Sequence, residues 1–141
     1  MKFSSKKNNR GFTLVEVLVA VVILSVGLLA VAGMQLNSMR GSNNALYRSQ
    51  AVLGAEDVLD RMRANRTAAL DGDYDITLGV APDSSTYSGI VLEDLEGWKE
   101  TLVANLPAGD GSVEVAGNIA TVLVQWQDSF GQDSITMETR L

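Results

Sequence analysis

The feature that most constrains this chain is a single carboxylate, Glu16, placed just inside a long apolar segment near the N-terminus. The 18 residues from 17 to 34 carry no charge, and as a helix they would span about 27 Å. Flanking apolar residues extend the segment past the roughly 30 Å of a bilayer's hydrocarbon core. An ionisable side chain inside such a segment is costly, which indicates a specific role. The segment therefore predicts a membrane-spanning helix over residues 12–36, with Glu16 as a functional residue.

Charge is divided unevenly along the chain. Of the 11 basic residues, four precede Gly11: Lys2, Lys6, Lys7 and Arg10. From Phe12 onward the other 7 basic residues stand against 17 acidic ones. A basic flank marks the cytoplasmic side of a membrane segment, which predicts a single-pass protein with its N-terminus in the cytoplasm and its C-terminal domain outside the cytoplasm. Because the domain is acidic, we do not expect it to bind nucleic acid.

The composition argues against an enzyme. The chain contains no cysteine and no histidine, which removes thiolate nucleophiles, the most common general base and the most common metal ligand. The spacing of Asp71, Asp73 and Asp75 is similar to the start of a calcium loop. However, Ile76 occupies the position that requires glycine, and Pro82 the position that requires glutamate. We therefore predict a solvated acidic turn there, and no catalytic residues, metal or cofactor in the chain.

Two processing sites compete in the N-terminal segment. In one interpretation it is a secretory signal peptide whose small-x-small site is Ala30-Val31-Ala32, and a secreted binding domain is released after Ala32. In the other, cleavage falls between Gly11 and Phe12 and the apolar segment is retained. The apolar stretch is longer than the core of a usual signal peptide and is interrupted by Glu16, which favours the second interpretation.

The sequence Lys-Lys-Asn-Asn-Arg-Gly, followed by Phe-Thr-Leu-Val-Glu-Val-Leu-Val-Ala, resembles the class III leader and first residues of a type IV pilin. The resemblance implies that a prepilin peptidase removes residues 1–11 and methylates the new N-terminal Phe12. Its α-amino group, with a reference pKa of about 7.7–8.0, would lie on the same helical face as Glu16. The resemblance implies that Glu16 pairs with the Phe12 ammonium of a neighbouring subunit and fixes the register of assembly. The alternative is that Glu16 only favours the positive end of its helix.

Beyond the membrane segment the helical spacing of apolar residues continues without proline. It predicts one helix from 12 to 69 whose second half, within residues 37–70, is amphipathic. Its apolar positions are Ala45, Val52, Ala55, Leu59 and Met62, together with Leu46 and Leu53. A connecting region and a sheet are predicted over 71–141, with a short helix at 93–106. One face of that short helix carries Leu95, Trp98, Leu102 and Leu106.

The C-terminal third predicts three antiparallel strands. Residues 112–116 alternate, a two-residue turn follows at Gly117-Asn118, and 121–127 is rich in β-formers. A longer turn is predicted over 128–133, and residues 134–141 alternate again. Such a sheet must bury one face, and the amphipathic helix is its natural cover. The fold class is therefore α+β, with a long N-terminal helix packed on a C-terminal antiparallel sheet.

This order of elements also resembles the pilin fold, and the C-terminal pattern is similar to PilV-type minor pilins. The pattern comprises the Trp98 helix ending at Leu106-Pro107, the strand from Val122 to Asp128, and the closing Met137-Glu-Thr-Arg-Leu141. The resemblance implies a minor pilin that joins other minor and major pilins and an inner-membrane assembly platform. It would prime a type IV pilus used in cell motility and lie near the tip. A minor pseudopilin of a type II secretion system is the alternative within the family.

Overall fold

The computed structural model describes residues 12–141, so the predicted leader over residues 1–11, with Gly11, lies outside the described residues. The helices are α1, Leu14–Ala64, α2, Arg66–Leu70, and α3, Gly89–Asn105. The strands are β1, Asp110–Ala116, β2, Ile119–Asp128, and β3, Gly131–Arg140. The predicted class, α+β with a long N-terminal helix and a C-terminal antiparallel sheet, is confirmed.

Helix α1 runs through two compact units, of which one ends at Met39 and the other is Arg40–Leu141. Every side chain over residues 12–39 is exposed. The helix contains an 18-residue window of mean hydropathy 2.9, none of it buried. By length and composition this helix is able to cross a membrane. The apolar side chains therefore need a lipid or protein environment that the chain itself does not supply.

The end of α1 lies earlier than the single helix to residue 69 that the sequence predicted. Asn65 has φ −117° and ψ 52°, outside the helical region, and α2 begins only at Arg66. Asparagine is a poor residue for a helix interior because its side chain offers the backbone other hydrogen bonds. Here the Asn65 amide donates to the Tyr74 hydroxyl at 3.4 Å. The prediction considered proline as a terminator and overlooked Asn65.

The buried face of α1 agrees with the predicted stripe only in part. The buried residues of α1 are Ala51, Gly54, Ala55, Val58, Leu59 and Met62. Four positions expected on the apolar stripes are exposed: Ala45, Leu46, Val52 and Leu53. The buried set follows the three- and four-residue spacing of one helical face. Periodicity revealed apolar faces but could not decide which of them meets the sheet.

The sheet has the order β1-β2-β3, and both pairs are antiparallel. The first hairpin turn is Gly117-Asn118, as predicted, and Gly117 has φ +65°. The second turn is shorter than the predicted 128–133, because Asp128 already pairs with Gly131. Only Ser129 and Phe130 then lie outside the ladder. The first residues of β3 are not hydrophobic, so a prediction based on alternating hydrophobicity did not assign them to the strand.

The core lies between α1, α3 and one face of the sheet. Its largest fully buried side chains are Trp98, Trp126 and Tyr74. Val122 and Val124 are buried beside Trp126, which confirms the predicted apolar face of the second strand. On α3 and just beyond it Leu95, Trp98, Leu102 and Leu106 are buried, as predicted. This helix starts at residue 89 rather than 93, and its extra turn adds Val91 to the core.

Candidate functional site

The first turn of α1 is organised by Thr13. Its carbonyl oxygen accepts the backbone N–H of Val17 at 3.2 Å. Its hydroxyl accepts the backbone N–H of Glu16, also at 3.2 Å. Thr13 therefore satisfies N–H groups that a helix start leaves without partners. The sequence interpretation missed this role, although threonine three residues before glutamate is the spacing of a capping box.

Glu16 lies in this same first turn, at the positive end of the helix. A carboxylate there interacts favourably with the helix dipole. Its side chain is exposed, and within residues 12–141 no hydrogen bond or ion pair engages its carboxylate. The geometry therefore permits both roles considered for Glu16: stabilising its own helix end and pairing with a charge on another molecule.

Phe12 and Glu16 share one face of the chain, as their spacing predicts. Both line a shallow groove that continues along the helix past Ala20 to Leu24. Phe12 is 82% exposed. Gly11, on the other side of the predicted cleavage site, lies outside the described residues. The structure thus brings together the two predicted site residues that it contains.

In the acidic turn after α2, one carboxylate, that of Asp75, forms a hydrogen bond within the fold. The Asp75 carboxylate accepts the backbone N–H of Val115 at 2.9 Å. Burial raises the pKa of Asp75, the hydrogen bond from Val115 opposes this rise, and the charge of Glu114 adds to it. In the part of the chain that the structure describes, no group of three or more acidic side chains is arranged to hold a metal ion. Asp75 therefore acts as a strand-edge acceptor.

A polar network also links α1 to α3. Arg61 donates to Asp94 at 3.1 Å and to Asp57 at 3.1 Å. The Tyr74 hydroxyl donates to the second oxygen of Asp94 at 2.6 Å. Burial, reinforced by this hydrogen bond, raises the pKa of Tyr74 to about 12. Both oxygens of Asp94 accept hydrogen bonds, so the network holds α1 and α3 together. It presents no free nucleophile or base.

Two family models match consecutive parts of the chain. The prokaryotic N-terminal methylation motif matches residues 6–32, a range that includes Phe12 and Glu16. The model for type IV pilin Tt1218 matches residues 33–90, which include the amphipathic part of α1 and the start of α3. Together the two matches cover residues 6–90, and they support a type IV pilin. This family consists of structural subunits, and the leader motif agrees with a membrane-anchored pilin.

Comparison with curated proteins and with solved structures gave no match. The sheet of this pilin also lies beyond the residues that the two family models cover. Neither model separates PilV-type minor pilins from other pilins.

Proposed function

We propose that this pilin is a PilV-type minor pilin that primes assembly of a type IV pilus and lies near its tip. The observation that carries the proposal is the free Glu16 carboxylate in the first turn of α1, at the start of the apolar stretch whose side chains are exposed as far as residue 39. The C-terminal pattern from Trp98 to Leu141 supports the PilV type. The absence of cysteine also favours a minor pilin, since many major pilins carry a C-terminal disulfide.

We infer the processing route from the leader. A prepilin peptidase on the cytoplasmic side cleaves between Gly11 and Phe12 and methylates the nitrogen of Phe12. The basic residues before Gly11 keep the N-terminus in the cytoplasm and place the C-terminal domain in the periplasm. The subunit waits in the inner membrane as a single-pass protein, in contact with the assembly platform, and then enters the pilus beside other pilins.

In the proposed assembly step, Glu16 sets the axial position of the incoming subunit. Packing the apolar segment among other helices removes both Glu16 and the Phe12 ammonium from water, and each charge then needs a partner. Leaving one charge of such a buried pair unpaired costs about 3–5 kcal/mol. The register that joins Glu16 of one subunit to the ammonium of its neighbour is therefore favoured over registers that separate them.

The test is the substitution Glu16→Ala, with Thr13→Ala as a matched control. Glu16→Ala is expected to be processed and inserted in the membrane but absent from sheared pili, as measured by immunoblotting of both fractions. Thr13→Ala removes the helix cap and keeps the charge, so it is expected to remain in the pili. Normal incorporation of Glu16→Ala would contradict the register role. Equal loss of both variants would show that Glu16 acts only on its own helix end.

The mass of the mature chain tests the processing step. Cleavage after Gly11 gives a chain that begins with methylated Phe12, whereas cleavage after Ala32 gives a chain that begins with Gly33. A mature chain beginning at Gly33 would replace the pilin proposal with a secreted binding domain. If the N-terminus is methylated Phe12, deletion separates the remaining alternative. Loss of twitching motility supports the pilus, and loss of protein secretion supports a pseudopilin of a type II secretion system.

A further inference from the structure

The outer edge of β1 is closed by the segment that follows the acidic turn. Val113 directs its N–H and C=O outward, and both pair with Ile76 at 2.9 Å. Two residues further along the strand, the N–H of Val115 donates to the Asp75 carboxylate at 2.9 Å. Because these backbone donors are occupied, another molecule that contacts this edge has to be recognised by side chains rather than by strand pairing.

The same segment forms an open pocket of about 540 Å³ against β1. This volume lies within the roughly 300–1,000 Å³ that is usual for binding pockets. The side chains of Leu78 and Val80 line the pocket and are 37% and 43% exposed. Apolar side chains grouped around a concave surface are typical of sites that a second molecule covers.

Tyr87 supplies an aromatic wall of fixed orientation. Its hydroxyl donates to the backbone carbonyl of Asp75 at 2.7 Å, which holds the ring at the pocket. Burial raises the pKa of Tyr87, and the negative charges of Asp75 and Asp83 add to this rise. The ring therefore lies in a negative potential and offers a flat face on which a cation can stack.

Two carboxylates, those of Asp75 and Glu114, line the pocket as well. Glu114 is exposed, and over residues 12–141 neither carboxylate is part of an ion pair. Burial raises the pKa of Asp75, the hydrogen bond from Val115 opposes this rise, and the charge of Glu114 adds to it. The two negative charges thus repel each other beside an apolar wall, and a cation between them would relieve the repulsion.

The basic residues of this part of the chain lie elsewhere. Residues 71–141 contain 13 carboxylates but only two basic side chains, Lys99 and Arg140. The Lys99 ammonium is held at the start of β1 by the Asp110 carboxylate and the Gly111 carbonyl, and the Gly111 N–H donates to Asp110 at 2.8 Å. Arg140 lies on β3, two strands from β1. A cation that fills the pocket therefore has to come from another molecule.

We propose that this pocket binds an arginine side chain displayed by a neighbouring protein subunit. The aliphatic stem of arginine can lie along Leu78 and Val80, while its guanidinium stacks on the Tyr87 ring and pairs with the two carboxylates. Lysine fits less well, because its ammonium is more strongly hydrated and cannot stack in this way. A metal ion also fits less well, since no group of three or more acidic side chains is arranged to hold one within residues 12–141.

The test uses the full chain in detergent and three synthetic peptides of one framework, with valine on both sides of the central residue. The central residue is arginine, lysine or citrulline, which has the shape of arginine without its charge. Binding is followed by the NMR shifts of Tyr87 and Glu114. The arginine peptide is expected to bind at least about fivefold more tightly than the lysine peptide and about tenfold more tightly than the citrulline peptide.

The substitution Glu114→Gln removes one charge of the pocket and keeps the shape of the side chain. We expect it to weaken binding of the arginine peptide at least about fivefold. The unfolding temperature should stay equal or rise, because the repulsion with Asp75 is removed, whereas a purely structural role of Glu114 would lower it. The matched control is Glu138→Gln, an exposed carboxylate of β3 aligned with Glu114 through Thr121. It is expected to leave binding unchanged.

Equal binding of the arginine and citrulline peptides, or unaltered binding in Glu114→Gln, would overturn the proposal. Lysine binding as tight as arginine binding would overturn the choice of side chain. If butylguanidine alone bound as tightly as the arginine peptide, the pocket would be a site for a small cation rather than for a protein subunit. Shifts at Tyr87 that appear without peptide and grow with protein concentration would overturn the proposal in favour of a second copy of this chain.

These readouts are independent of the proposed function. None of them involves a pilus, cleavage of the leader or Glu16. Failure of the arginine pocket would therefore leave the proposed function standing, and loss of the register role would leave the arginine pocket standing.

Discussion

At the scale of single residues, β1 and α3 approach each other so closely at Gly111 that this position requires glycine. A Cβ atom at this position would lie 2.5 Å from the Trp98 ring and 2.9 Å from the Leu102 side chain. Both neighbours are buried in the core, so neither has space to move away. Only glycine lets β1 pass this close beneath α3.

Substitution of Gly111 by alanine is therefore expected to lower the free energy of unfolding by about 1–3 kcal/mol, as overpacking does in other cores. Chemical denaturation of the full chain in detergent measures it. The matched control is Gly41→Ala, because the space around Gly41 in α1 is open. The control is expected to be neutral or to stabilise by up to about 1 kcal/mol. Equal stability of Gly111→Ala and the unsubstituted chain would contradict the packing described.

Tyr74 gives a prediction at alkaline pH. Burial and the hydrogen bond to Asp94 raise its pKa from 10.0 to about 12. Since the folded pKa is the higher one, neutral Tyr74 contributes stability that is fully present below pH 10. This contribution is lost as the pH rises through 12. The unfolding free energy should therefore fall across this window, and the fall should be smaller in Tyr74→Phe. Parallel pH profiles for the two proteins would refute the assignment.

At the scale of elements, Asp94 fastens α3 to α1 and to the connecting region. Its side chain is 13% exposed and accepts from both Arg61 and Tyr74. Asp94→Ala leaves the partly buried guanidinium and the buried hydroxyl without their acceptor. We expect a loss of about 3 kcal/mol in unfolding free energy.

The control for this prediction is a carboxylate that joins no elements. Asp60 pairs with Arg63 within α1, and its side chain is 73% exposed. Exposed pairs of this kind contribute about 0–1 kcal/mol, so Asp60→Ala should change stability little. Similar losses in Asp94→Ala and Asp60→Ala would show that the Asp94 network does not hold α3 in place.

The elements that the sequence predicted best are those with a simple period. Strand β2 alternates buried and partly buried side chains, so Val122, Val124 and Trp126 could be placed on one face. The turn at Gly117-Asn118 was also predicted, because its residue types are specific to a two-residue hairpin. The end of α1 was not predicted. Asn65 ends the helix because its backbone dihedral angles are not helical, and the spacing of apolar residues gives no information on those angles.

The candidate sites also differ in how far they could be recognised from the sequence. Phe12 and Glu16 could be proposed from the sequence because a contiguous motif and a four-residue spacing define them. Thr13 was also visible as part of a capping-box spacing and was overlooked. The closed edge of β1 could not be predicted. It depends on the outward pairing of Val113 with Ile76, which exists only after distant segments have met.

At the scale of the whole molecule, the described part of the chain divides burial unequally between its two units. All buried apolar residues lie between Ala51 and Leu141, whereas the side chains over 12–39 are exposed. The unit Arg40–Leu141 thus contains the core, both hairpins and the polar network. The apolar stretch before it contributes nothing to that core.

A chain that begins at Arg40 is therefore expected to fold without detergent. Its near-ultraviolet circular dichroism, from buried Trp98 and Trp126, should match that of the full chain, and it should unfold in one cooperative transition. The full chain in buffer without detergent is the control and is expected to aggregate through its apolar helix. A truncated chain with no tertiary signal would show that the second unit depends on residues before Arg40.

The closed edge of β1 has a consequence for how many molecules one sheet can hold. Unlimited growth of a β-ribbon, as in amyloid, requires that both edge strands of every molecule can pair with another strand. Here Ile76, Lys99 and the carboxylates of Asp75 and Asp110 occupy one border. Growth of a ribbon through both edges of the sheet is therefore blocked. An acidic sheet domain of this kind can reach a high local concentration without polymerising through both of its edges.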